Sequence, residues 1–82
     1  MITSSQIKAA RALVGMTATE LAEKSGVAYT TIVRIESSEG VPSGQVKTLD
    51  AVQRVLEEAG IEFIGTPENG AGVRWRLSRS SP

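Results

Sequence analysis

The sequence contains no cysteine and no histidine. Without cysteine there can be no disulfide, no thiolate zinc site and no cysteine nucleophile. Without histidine the commonest metal ligand and the usual general base near neutral pH are gone. Aromatic residues are scarce, one each of Trp, Tyr and Phe, so a core must be built from aliphatic side chains. No apolar run approaches the roughly 20 residues that span a bilayer. Nine basic residues meet nine acidic ones, so no surplus of positive charge exists to hold nucleic acid or an anionic membrane in bulk. The opening Met1-Ile2-Thr3-Ser4-Ser5 lacks the basic and then apolar pattern of a secretory signal, and a cytoplasmic protein is expected. No nucleophile–base pair or ligand cluster can be assembled from what remains, so neither an enzyme, a cofactor nor a metal is expected.

What is present is enough for one small domain of 82 residues. A chain this short buries only about 60–65% of its unfolded surface and would gain from dimerisation. The charge is unevenly spread. Lys8, Arg11, Lys24, Arg34 and Lys47 against Glu20, Glu23, Glu36 and Glu39 leave residues 1–47 at +1. Arg54 against Asp50, Glu57, Glu58, Glu62 and Glu68 leaves residues 48–72 at −4, and Arg74, Arg76 and Arg79 leave residues 73–82 at +3.

Thr3 followed by Gln6 has the form of a capping box and opens a first helix that Gly15 ends. Its apolar face is Ile7, Ala10, Leu13 and Val14. Thr17 followed by Glu20 is a stronger box, opening a second helix that ends at Gly26. A third runs from about Ala28 to Glu36 with Ile32 and Ile35 inward. Its β-branched run, Thr30 to Val33, has poor helix propensity, so packing must hold it. Residues 37–44 are a Ser, Gly and Pro loop. A fourth helix spans about Val46 to Ala59, with Leu49, Val52, Val55 and Leu56 on one face. Ile61 to Ile64 and Val73 to Leu77 then read as strands around a turn cluster of Pro67, Asn69-Gly70 and Gly72.

Helices two and three are separated only by Ser25-Gly26-Val27, the sharp corner of a helix-turn-helix. Ala22 lets the helices cross closely, Gly26 can take the left-handed conformation, and Leu21, Val27, Ile32 and Ile35 close a small core. The stretch from Thr17 to Glu36 (TATELAEKSGVAYTTIVRIE), with Ile7 to Gly15 (IKAARALVG) before it, resembles the Cro/C1-type helix-turn-helix family of phage-repressor-like regulators. The likeness covers about Ile7 to Gly60. It implies a mainly α fold, a four- to five-helix lambda-repressor-like DNA-binding bundle, here with a C-terminal β-hairpin. It also implies dimeric binding to an operator and a regulatory role. In the family a first-helix Arg pairs with the Glu ending the recognition helix, and Arg11 and Glu36 hold those positions. Where the family usually carries a phosphate-contacting Gln, this sequence has Ala18, so that contact is missing or falls to Thr17 or Thr19.

A recognition helix presents its outward N-terminal side chains to the major groove. Here these are Ala28, Tyr29, Thr30, Val33 and Arg34. Arg34 suits guanine, while Ala28 and Val33 suit a thymine methyl. Thr17, Thr19, Ser37, Ser38 and Lys47 are the candidates for phosphate contacts. The expected organisation is a DNA-binding domain over 1–60, a hairpin over 61–77 and a flexible tail over 78–82. In the hairpin Phe63, Val73, Trp75 and Leu77 are candidates for a dimer contact, the alternative being that the hairpin caps the fourth helix. Arg74, Arg76 and Arg79 either touch nucleic acid or form a solvated face opposite Glu62. Expected partners are double-stranded DNA and a second copy of the chain. The alternative function is an antitoxin, which represses its own gene and binds a toxin protein through another surface.

Overall fold

The computed structural model describes residues 2–76. Leu77, Arg79 and the expected tail over 78–82 lie outside the described residues. The order is α1 (Ser4–Val14), α2 (Ala18–Ser25), α3 (Tyr29–Ser37), α4 (Val46–Glu58), β1 (Ile61–Thr66) and β2 (Asn69–Trp75). Four helices and one antiparallel hairpin make a mainly helical bundle, as the sequence pattern requires.

Both capping boxes form. The Thr3 hydroxyl accepts from the Gln6 N–H at 3.1 Å and the Gln6 Oε1 accepts from the Thr3 N–H at 2.8 Å. Thr17 and Glu20 repeat the exchange at 3.0 and 2.8 Å. The Thr17 N–H donates to the Glu20 carboxyl and, with the Thr17 hydroxyl adding to the effect, holds it below the usual carboxylate range. Gly26 ends α2 at φ 74°, a left-handed turn that any side chain would strain, and the chain leaves it aimed for α3. Ala28 is the N-cap of α3 and makes no side-chain cap bond.

One core joins all the elements. Ile7 and Ala10 of α1, Leu21 of α2, Ile32 and Ile35 of α3, and Leu49, Val52 and Leu56 of α4 are buried together with Ile61 of β1. At about 25 cal/mol per Å² of apolar area removed from water, each such side chain contributes roughly 1.5–3 kcal/mol. Leu13 departs from the expected face and is 41% exposed. At about 100° per residue it sits roughly 120° around α1 from Ile7, at the margin of the buried stripe. Val14 is the residue that packs there.

The hairpin turns at Pro67 and Glu68, and not at Asn69-Gly70. Asn69 and Gly70 both pair with Thr66 across a register irregularity, so both strands reach further into the Gly-rich segment than the apolar pattern shows. Gly65 permits this, since at φ 76° a Cβ would run into the Gly70 carbonyl. Further along, Phe63 pairs with Val73 and Ile61 with Trp75, while Glu62 pairs with Arg74 on the other face.

A candidate nucleic-acid interface

The connection between α2 and α3 is three residues long in effect, Gly26 to Ala28, so the two helices meet at a sharp corner. Leu21 and Ala22 of α2 are buried with Ile32 and Ile35 of α3, and Val27 packs half-buried against them. That packing turns α3 so that Tyr29, Thr30, Val33 and Arg34 face outward, all exposed.

A clamp fixes α3 to α1. The Arg11 guanidinium donates from Nε and Nη2 to the two Glu36 carboxylate oxygens, each at 2.7 Å. Its Nη1 donates to the Met16 carbonyl at 3.0 Å, tying down the corner between α1 and α2 as well. The hydrogen bonds donated to Glu36 hold the Arg11 guanidinium charged beyond its ordinary range, against the opposing effect of burial. The pairing predicted from the family resemblance is therefore present, with fork geometry that Lys could not supply.

A second set of bonds was not legible in the sequence. Ser4 Oγ donates to the Ile35 carbonyl at 2.7 Å, and the Ser4 N–H donates to the Gly40 carbonyl at 2.9 Å. The first turn of α1 thus holds both the end of α3 and the loop that follows it. Gln6 does the same for the hairpin, its Nε2 donating to the carbonyls of Ile64 at 3.1 Å and Gly72 at 2.8 Å. The one available signal was the choice of Gln over Glu in the first capping box. Only an amide can accept from the Thr3 N–H and also donate to two carbonyls.

The candidate contact residues differ in what they have left to offer. Arg34 Nη1 donates to the Ser43 carbonyl at 3.4 Å, and its guanidinium lies beside Gly44. It forms a wall of a cavity of about 230 Å³ between α3 and the start of α4, shared with Thr31, Ser43, Gln45 and Thr48. Ser37 Oγ donates to the Val33 carbonyl at 2.8 Å and Ser38 Oγ to the Arg34 carbonyl at 3.1 Å. Both hydroxyl protons are thus engaged within α3 and its cap. Thr17 is committed to its capping box, Thr19 is exposed in the first turn of α2, and Lys47 is exposed in the first turn of α4.

In the hairpin, Phe63 and Val73 pack against the chain's own core. Trp75 is 53% exposed, with one side of its ring against Gly60. Arg74 pairs with Glu62, Nε to Oε1 at 3.0 Å, which depresses the Glu62 carboxyl and raises the Arg74 guanidinium. Arg76 donates from Nη2 to the Glu57 carbonyl at 2.9 Å, a cation at the C-terminal end of α4. These two arginines form a solvated face with intrachain partners. Among the described residues, no helix is long and apolar enough to cross a membrane.

A sharp two-helix corner, a clamped second helix and its exposed outer face define a helix-turn-helix unit. The helix-turn-helix family model matches residues 7–46, which supports the Cro/C1-type helix-turn-helix family. The chain is accordingly a DNA-binding transcription regulator. Comparison with curated proteins finds no match.

Proposed function

We propose that this regulator is a repressor that binds a palindromic operator as a two-fold dimer, with α3 in the major groove. The observation that carries the reading is the outer face of α3. Tyr29, Thr30, Val33 and Arg34 are held outward by a buried inner face and by the Arg11–Glu36 clamp. With Ala28, the first three make up the proposed base-contacting set, and Arg34 reaches either a base or a phosphate. Thr17, Thr19, Ser37, Ser38 and Lys47 are the proposed phosphate set, with Ser37 and Ser38 contributing only by exchanging an internal bond for an external one.

The balance of nine cations and nine anions supports the dimer. One copy places few positive groups near phosphate, and a second copy doubles them. Trp75 is the proposed contact between copies, because Phe63 and Val73 are already used inside the chain. Selection of bound duplexes from a random library tests the reading. Two inverted half-sites about one helical turn apart are expected, bound with a modest salt slope. A single half-site, or binding indifferent to salt, refutes it.

The exposed Trp75 favours one second reading, in which the hairpin holds a toxin protein and the chain is its autoregulating antitoxin. Co-purification of a second small protein with the wild-type chain, abolished by Trp75→Ala, separates this from the homodimer.

A further inference from the structure

We propose that Val33, flanked by Thr30, reads the C5-methyl group of a thymine, and that Arg34 does not read a base. The inference rests on α3 being the base-reading helix and names what that helix recognises.

The phase of α3 gives the first argument. Ile32 and Ile35 are its fully buried residues. At about 100° per residue, the direction opposite them falls between Thr30 and Ser37, with Val33 to one side and Arg34 to the other. Tyr29 lies further round, on the Val33 side. The centre of the outer face therefore belongs to Thr30 and Ser37, with Val33 and Arg34 at equal angles on either side.

The second argument is what those side chains have to offer. The Ser37 proton is engaged by the Val33 carbonyl. Arg34 leans toward the loop, donating to the Ser43 carbonyl beside Gly44. The helix contains no Asn or Gln, which read adenine, and no second Arg or Lys, which read guanine. What remains on this face without an internal partner is the Val33 isopropyl group, 43% exposed, and the Thr30 methyl and hydroxyl one turn earlier. An exposed β-branched residue inside a helix is unfavourable for the helix itself. A methyl group of thymine is the one major-groove feature that such a surface recognises. Arg34, anchored on the loop before α4, is left to serve the backbone.

The test uses the duplex recovered by selection and replaces each thymine in turn with deoxyuridine, which removes only the C5-methyl. At one position per half-site, binding is expected to weaken about fourfold, or about 0.8 kcal/mol, the effect of burying one such group. Val33→Ala should bring that ratio close to one. Arg34→Ala should weaken binding to every duplex alike and leave the ratio unchanged. Val33 is exposed, so circular dichroism should report an intact fold in both variants. The proposal is overturned if no thymine methyl matters, if the ratio survives in Val33→Ala, or if Arg34→Ala removes the preference for one particular guanine. If no duplex is selected at all, the proposed function fails first, and the two failures are distinct.

Discussion

Replacing Arg11 with alanine is expected to cost about 3 kcal/mol of folding stability, far more than a surface ion pair would. Three hydrogen bonds end on this guanidinium, two at 2.7 Å to Glu36 and one at 3.0 Å to the Met16 carbonyl. The side chains of Arg11 and Glu36 are 23% and 11% exposed. Removing Arg11 leaves a nearly buried carboxylate with its two nearest donors gone. Breaking a buried pair costs about 3–5 kcal/mol, and the residual exposure of Arg11 sets the lower end. For a domain of this size the melting temperature should drop by roughly 12–24 °C. Glu36→Ala should cost less, because Arg11 is the more exposed partner, keeps its bond to Met16 and can turn its head to water. The double variant Arg11→Met with Glu36→Leu should recover to within about 1 kcal/mol of wild type, since no charge is then stranded. Thermal and urea unfolding followed by circular dichroism measure all four proteins. A loss below about 1 kcal/mol for Arg11→Ala, or a double variant as unstable as the two singles combined, refutes the reasoning.

Three further outcomes are expected. Gln6→Glu keeps the capping acceptor but turns the amide donors toward Ile64 and Gly72 into a carboxylate facing two carbonyls. It should cost about 3 kcal/mol and recover in part as acid restores one proton, measured as unfolding midpoints at neutral and low pH. In the wild type, Glu20 has its carboxyl lowered by the Thr17 N–H and hydroxyl. Its capping contribution is therefore complete above the ordinary carboxylate range and disappears as pH falls through the lowered value, which an NMR titration of the Thr17 amide will follow. Trp75→Lys should leave the helical signal intact and convert a dimer to a monomer by sedimentation; an unchanged mass removes Trp75 from the interface.

Local instructions were legible and distant ones were not. The Thr3 and Thr17 boxes, the stops at Gly15 and Gly26, and the two strands beginning at Ile61 and ending near Trp75 all depend on residues a few positions apart or on a simple alternation. The Arg11–Glu36 clamp spans 25 positions, and only the family resemblance made it readable. Nothing local marked the bonds of Ser4 to Ile35, 31 positions away, or of Gln6 to Gly72, 66 positions away. Leu13 looked inward because its spacing is helical, but the hairpin covers α1 at Gln6 and not at its far end. The hydroxyls of Ser37 and Ser38 looked available because a loop was expected there, whereas α3 continues through Ser37 and puts the Val33 and Arg34 carbonyls within their reach.

The first turn of α1 has a consequence for how this chain opens and closes. Its side chains grip the hairpin through Gln6 and the end of α3 through Ser4, and Ile61 of the hairpin is fully buried among the helices. The strands therefore cannot peel away while the helices stay intact, and both must be lost in one cooperative step. Amides of β1 and β2 should exchange with solvent only as slowly as those of α3. A hairpin of this kind cannot be grafted onto another helical unit unless Ser4, Gln6 and their acceptors travel with it.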